Sequence, residues 1–217
     1  MINISFIHPD FKVLNSFVAE LPDRFSRGGK CIHKGRNELR VFQYAGYDLV
    51  VKSYQRPNIF NRFVYGRLRR SKAERAYRYA MRFQQSGIAT PTPIAFLTQG
   101  CFCLTDSYFV CLKSFLPYTF HDLQRRAFSR LEDILRAVAR NTAAMHKAGF
   151  RHRDYTGRNI LFDDVPEEIP VEFVDLNRMS FGYVSVKMGC EDLKYMDPNK
   201  THHLVLLDEY CRYRNEI

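Results

Sequence analysis

His152-Arg153-Asp154-Tyr155-Thr156-Gly157-Arg158-Asn159-Ile160-Leu161-Phe162 is the stretch whose reading decides the fold. An asparagine follows the aspartate by five residues, and a short apolar run comes next. Sixteen residues past Asn159, a second apolar segment, Val171-Glu172-Phe173-Val174, ends on Asp175. The spacing suits phosphoryl transfer. Asp154 is placed to accept a proton from an attacking hydroxyl, while Asn159 and Asp175 offer oxygen ligands for magnesium against nucleotide phosphates. Such a reaction needs positioned ligands and charge neutralisation more than covalent chemistry. His-Arg-Asp alone is a weak signal in a basic protein. With Asn159, the apolar run and a strand ending in Asp175 added, the bland reading of a charged loop capping a helix requires several independent coincidences.

The rest of the chain tests this reading, because a kinase also needs a strand lysine and a carboxylate to orient it. Three short segments of strand type precede residue 53: Cys31-Ile32-His33, Leu39-Arg40-Val41-Phe42 and Leu49-Val50-Val51-Lys52. Turns at Lys34-Gly35-Arg36-Asn37 and Ala45-Gly46-Tyr47-Asp48 join them, which predicts an antiparallel meander. Lys52 ends the third strand. A lysine there commonly snorkels to solvent, and the alternative is a nucleotide-phosphate ligand. Between Lys52 and Asp106 a single acidic residue occurs, Glu74, in a segment that reads as a helix from Ser71 to Phe83. Its position one helix after the lysine strand points to the orienting role; pairing with Arg70 or Arg78 on the helix surface is the alternative. No G-x-G-x-x-G precedes the lysine strand. Gly35 with Lys34 and Arg36 is the turn available to cover a phosphate, charge standing in for backbone N–H groups.

The formal net charge is +10 over 217 residues. This favours an anionic partner: nucleic acid, an anionic membrane surface, or a phosphorylated or acidic substrate. Charge concentrates in one segment, where Arg56, Arg62, Arg67, Arg69, Arg70, Lys72, Arg75, Arg78 and Arg82 stand against Glu74, with aromatic residues interleaved. Of the six cysteines, none forms a C-x-x-C pair or a zinc spacing, so buried free thiols are expected. The first residues lack the pattern of a signal peptide, and no apolar run has the length to cross a bilayer. A cytoplasmic protein with peripheral membrane contact is expected.

Residues 1–30 read as irregular. Pro91-Thr92-Pro93 forces an extended segment, after which Ile94–Leu97, Cys101–Leu104 and Ser107–Leu112 read as strands. Lys113–Pro117 reads as a linker, dividing the chain into an N-terminal lobe at 1–112 and a C-terminal lobe at 113–217. Apolar residues recur at helical spacing from Leu131 to Met145, so residues 128–148 form a helix that Gly149 caps, delivering the chain into His152. His152 reads as a packed structural histidine. Arg153 reads as a residue that holds the Asp154 carboxylate. Glu191–Met196 and His203–Arg214 read as two further helical segments.

Together the strand lysine, the helix glutamate, the H-R-D-x4-N loop and the following aspartate resemble the protein-kinase-like fold. More closely, Val50-Val51-Lys52-Ser53-Tyr54, Tyr65–Glu74, Pro91–Ala95 and the His152–Phe162 loop are similar to the bacterial lipopolysaccharide kinase family. That family phosphorylates 3-deoxy-manno-octulosonic acid (Kdo) or heptose of the lipid A core. The resemblance implies an α+β, bilobal fold, with an antiparallel-sheet N-lobe carrying one main helix and a short, mainly helical C-lobe. It implies ATP and Mg2+, with Lys52 on nucleotide phosphates, Glu74 orienting it, Asp154 as base, and Asn159 and Asp175 on the metal. It further implies a lipid A-core glycolipid acceptor at the inner face of the inner membrane and an anionic membrane surface as partner; nucleic acid is disfavoured.

The sequence departs from protein kinases in three places. Asp-Phe-Gly is replaced by Asp175-Leu176-Asn177. Thr156 stands where those kinases usually carry a catalytic-loop lysine, and Arg158 replaces it in charge but not in geometry. The 42 residues after Asp175 hold no Ala-Pro-Glu segment, which favours a small or glycan acceptor over a protein. The rival readings are a protein kinase, a phosphotransferase of the aminoglycoside type, and a catalytically inactive pseudokinase that binds anionic membrane or envelope components.

Overall fold

A computed structural model describes residues 2–54, 70–100 and 104–215. The arginines at 56, 62, 67 and 69, part of the Tyr65–Glu74 stretch, and Cys101 and Cys103 lie outside the described residues. The chain divides into two compact units, Met1–Arg82 with Pro91–Lys113, and Phe83–Thr90 with Ser114–Ile217.

The first unit is built on a six-stranded antiparallel sheet. Its strands are β1 (Ile2–Ile7), β2 (Lys30–Lys34), β3 (Asn37–Tyr44), β4 (Tyr47–Tyr54), β5 (Pro93–Gly100) and β6 (Leu104–Leu112), in the order β1-β5-β6-β4-β3-β2. The meander β2-β3-β4 follows the sequence reading. The N-terminus does not: where an irregular segment is expected, β1 pairs with β5 from Ile2↔Gly100 to Ile7↔Ala95. A 3-10 turn (Pro9–Leu14) and two short helices, α1 (Asn15–Ala19) and α2 (Leu21–Arg27), follow β1. Leu14, Phe17, Val18, Leu21 and Phe25 bury themselves against Leu49, Val51, Leu97 and Val110 of the sheet.

Side chains alternate across a pleated strand, so Lys52 and Tyr54 of β4 face the opposite side from Leu49 and Val51. That second face is covered by α3 (Lys72–Gln85), whose Ala73, Ala76 and Tyr77 pack with Tyr54 and Phe96. Alanines at successive turns let the helix approach the sheet closely. Ser71 starts the helix by accepting the Glu74 backbone N–H at 3.0 Å.

The second unit is organised by α4 (Leu131–Lys147), α5 (Val186–Met196) and α6 (His203–Asn215). Two small antiparallel sheets accompany the helices. β7 (Tyr118–Thr119), β9 (Ile160–Phe162) and β10 (Val171–Phe173) form one; β8 (Phe150–His152) and β11 (Met179–Phe181) form the other. Gly149 ends α4 at φ +77°, where a Cβ would lie 3.2 Å from the Gly182 carbonyl oxygen. The expected cap is therefore also a close approach of two backbones. Of the described cysteines only Cys111 is buried; Cys31 is exposed and Cys190 and Cys211 are half-buried, so the expectation of buried thiols holds only in part. Short strands and the edge position of β2 leave Cys31 without cover.

Buried polar groups tie the helices together. Glu209, fully buried, accepts hydrogen bonds from Arg136 (2.9 Å), Arg140 (3.0 Å) and Arg212 (2.6 Å). Burial pushes its carboxyl up, but the three guanidinium bonds outweigh burial and hold it below the ordinary value. His146, 2% exposed, shares a 2.8 Å hydrogen bond with the Tyr210 hydroxyl. Burial, and then the charges of Arg214 and Arg151, push its pKa down to about 3. The sign follows from linkage. Below about pH 6.5 the unfolded chain binds a proton at His146 that the folded chain refuses, so stability falls as the pH is lowered. The Glu209 contribution is present above its unfolded value and is lost later, as pH falls through its depressed folded one. Urea unfolding is thus expected to lose about 1.4 kcal/mol per pH unit between about pH 6 and pH 4.5. Stability that stays flat over that range would contradict a buried, neutral His146.

Candidate active site

In the second unit, β8 ends at His152 and the chain turns through Asp154 before β9 begins at Ile160. His152 is buried and bonds in two directions. Its Nδ1 accepts the Asp154 backbone N–H at 3.2 Å, which leaves Nε2 as the protonated nitrogen, donating to the Val174 carbonyl at 3.0 Å. The histidine is thus structural, as the sequence suggests, and it fixes the Asp154 turn to the residue just before Asp175. Two more bonds close the frame: Val174 N–H donates to Asn159 O at 3.0 Å, and Arg153 N–H donates to Arg178 O at 2.8 Å.

Asn159 Nδ2 donates to the Asp154 carbonyl at 2.8 Å. That bond fixes the amide plane and leaves Oδ1 as the end suited to a cation. Gly157 lies within the same turn, where an added Cβ would stand 3.1 Å from the His121 backbone nitrogen; only glycine fits this approach without displacement. Tyr155, buried, bonds through its hydroxyl to Thr142 of α4 and anchors the turn to the helix.

Asp175 follows β10 in a left-handed conformation, φ 60° and ψ 47°. For a residue with a Cβ this costs on the order of 1 kcal/mol, and such outliers cluster at functional sites. The Asn177 amide donates to Asp175 Oδ1. Asn177 therefore supports the carboxylate from the position where protein kinases carry glycine.

Asp154 is half-exposed, and Arg178 Nη1 lies 3.6 Å from its Oδ2. The sequence reading puts Arg153 at this carboxylate and does not single out Arg178, which the β8–β11 pairing brings there through Met179↔His152. Arg158 is exposed on the 3-10 turn that ends at Asn159.

In the first unit, Lys52 is 8% exposed, with its Nζ 5.4 Å from the centroid of the Tyr54 ring. It lies on the sheet face that α3 covers. Glu74, on the first turn of α3, accepts Arg78 Nε at 2.8 Å and stands 3.4 Å from Arg70 Nε. Lys34 ends β2 and Gly35 occupies the turn into β3.

These residues suit magnesium held jointly with nucleotide phosphates. Among the described residues, no group of three or more His, Cys, Asp or Glu side chains could hold a metal ion by itself. The Asp175 carboxylate and the Asn159 amide oxygen would supply two of the oxygen ligands that magnesium takes, with phosphate oxygens and water supplying the others.

An antiparallel sheet with a lysine strand and one helix covering the lysine face, together with a helical unit bearing Asp154, Asn159 and Asp175, defines a protein-kinase-like architecture. Solved structures that share it include the following two. One is "WaaP in complex with acyl carrier protein", with TM-score 0.66 and 20% identity, covering 96% of this chain and 89% of that chain. The other is the "bifunctional kinase- methyltransferase WbdD", with TM-score 0.50 and 15% identity, covering 81% of this chain and 42% of that one. No curated protein matches. The sequence model of the "Lipopolysaccharide kinase (Kdo/WaaP) family" matches residues 32–202, well over half of the chain, and the chain belongs to that family.

Proposed function

We propose that the protein transfers the γ-phosphoryl group of ATP, with magnesium, to a sugar hydroxyl, on Kdo or heptose, of the lipopolysaccharide inner core. The observation that carries this reading is the frame in which His152 ties the Asp154 turn to Val174, next to Asp175. Family membership supplies the substrate class.

Asp154 accepts the proton of the attacking hydroxyl. Asn159 Oδ1 and the Asp175 carboxylate hold the metal, whose charge offsets that of the phosphates when it is bound. Lys52 binds nucleotide phosphates, and Glu74, on the helix over the same sheet face, orients it. Lys34 and Gly35, at the β2–β3 turn, cover the phosphates. Arg158 is available to the anionic acceptor. Arg70, just before α3, and Arg78 and Arg82 along it are exposed, and such a stripe suits anionic headgroups at the inner face of the inner membrane. Among the described residues no helix is long and apolar enough to cross a membrane.

The test is transfer of labelled γ-phosphate from ATP to purified Kdo–lipid A and to heptosylated core glycolipid. Magnesium-dependent label on the sugar of one of them is the expected result. Label that goes to protein, or to a small aminoglycoside, and to neither glycolipid would overturn the acceptor assignment.

A further inference from the structure

Protein kinases usually place a lysine two residues after the catalytic aspartate, and here Thr156 stands there. The reaction still spreads negative charge over three phosphoryl oxygens, and a missing cation must come from elsewhere. We infer that Arg178 supplies it: its guanidinium binds the transferring phosphoryl group, a role that rests on Asp154 being the base.

Four observations carry this. The backbone of Arg178 is fixed to the catalytic turn, its carbonyl taking the Arg153 N–H at 2.8 Å. Its side chain, by contrast, is 57% exposed. The guanidinium stands 3.6 Å from Asp154 Oδ2, longer than a hydrogen bond, and among the described residues it makes no other ion pair and no hydrogen bond. Arg151, on the strand that β11 pairs with, is committed: it donates twice to Asp192, at 2.8 Å each.

The reach is sufficient. A hydroxyl bonded to Asp154 lies about 3 Å from its carboxylate, and the phosphorus it attacks lies about 3–3.5 Å further on. An arginine tip already 3.6 Å from that carboxylate meets the phosphoryl oxygens after a small side-chain rotation. A guanidinium presents paired N–H groups that match phosphoryl oxygens, as a lone ammonium does not. The Asp154 ion pair then serves as a resting position from which the cation is handed to the phosphoryl group.

The decisive experiment compares Arg178→Ala, Arg178→Lys and Asp154→Asn with wild type in two assays. The first is binding of Mg·ADP with fluoroaluminate, a mimic of the transferring phosphoryl group, against binding of Mg·ADP alone; it needs no acceptor. Arg178→Ala is expected to weaken the mimic about 100-fold and Mg·ADP less than about 3-fold, the selectivity expected of a group that acts in the transition state. The second is glycolipid phosphorylation, where Arg178→Ala is expected to lower kcat about 100-fold or more with KM for ATP nearly constant. Added methylguanidinium restores part of kcat, and Arg178→Lys retains more than the alanine variant.

Mimic affinity unchanged in Arg178→Ala would overturn the inference even if no glycolipid is phosphorylated. Equal weakening of Mg·ADP and the mimic would overturn it too, pointing to a role in ground-state binding or in the fold. Undiminished transfer by Asp154→Asn would instead remove the base reading, on which the role of Arg178 depends.

Discussion

Replacing Asp154 with asparagine is expected to lower phosphoryl transfer by about 10³-fold while leaving the thermal midpoint within a few degrees of wild type. The magnitude is that of a general base, typically 10² to 10⁴ in rate. The side chain is 43% exposed and its one described ion pair is the long contact to Arg178, so little folding energy depends on it. The turn around it survives, because His152, Asn159 and Tyr155 hold it through backbone groups and through α4.

Asp175 separates function from stability more sharply. Asp175→Gly relieves the left-handed conformation and is expected to hold stability within about 1 kcal/mol of wild type. The same change removes the carboxylate, and magnesium-dependent transfer is expected to fall by several orders of magnitude. Activity assays paired with urea unfolding check both. A variant at either position that keeps a tenth or more of wild-type activity would sink the assigned roles.

The second large effect lies in the helical unit. Gly189→Ala is expected to cost about 3 kcal/mol or more, lowering the thermal midpoint by roughly 6–12 °C in a chain of this size. A Cβ at Gly189 would fall 1.8 Å from the Tyr210 hydroxyl oxygen, 2.3 Å from Cζ and 2.8 Å from His146 Nδ1. Those three atoms are buried and bonded to one another, so none can swing aside as a surface side chain would. Relief requires α5 to move away from α6. That movement pulls Asp192 from the bidentate bond that Arg151 makes to it, one residue before His152. Calorimetry on Gly189→Ala, and on Gly189→Ala combined with Tyr210→Leu, provides the check. Removing the ring tip is expected to recover part of the loss, whereas a single variant as stable as wild type would contradict the packing.

The Asp154 turn, the meander and the long helix α4 were legible in the sequence because their signals are local. Alternation with period two, helical recurrence from Leu131 to Met145, and the five-residue step from Asp154 to Asn159 all lie within one or two elements. The N-terminal cover was not legible. α1 and α2 run only five and seven residues, too short for a helical period to declare itself. Ile2, Ile4 and Phe6 do alternate with polar residues, but the partner of that strand, β5, begins only at Pro93.

Arg178, Gly189 and Glu209 belong to the tertiary structure alone. In the sequence each is one arginine, glycine or glutamate among many. Strand pairing brings Arg178 to Asp154 across 24 residues, and helix packing sets Gly189 against Tyr210 and Glu209 against Arg136 and Arg140. The sequence by itself determined which residue types are offered for the chemistry and the spacing that marks them. The tertiary structure decided which cation meets the Asp154 carboxylate, because charge pairing depends on distance in space, and the chain sets that distance only after its strands have found their register.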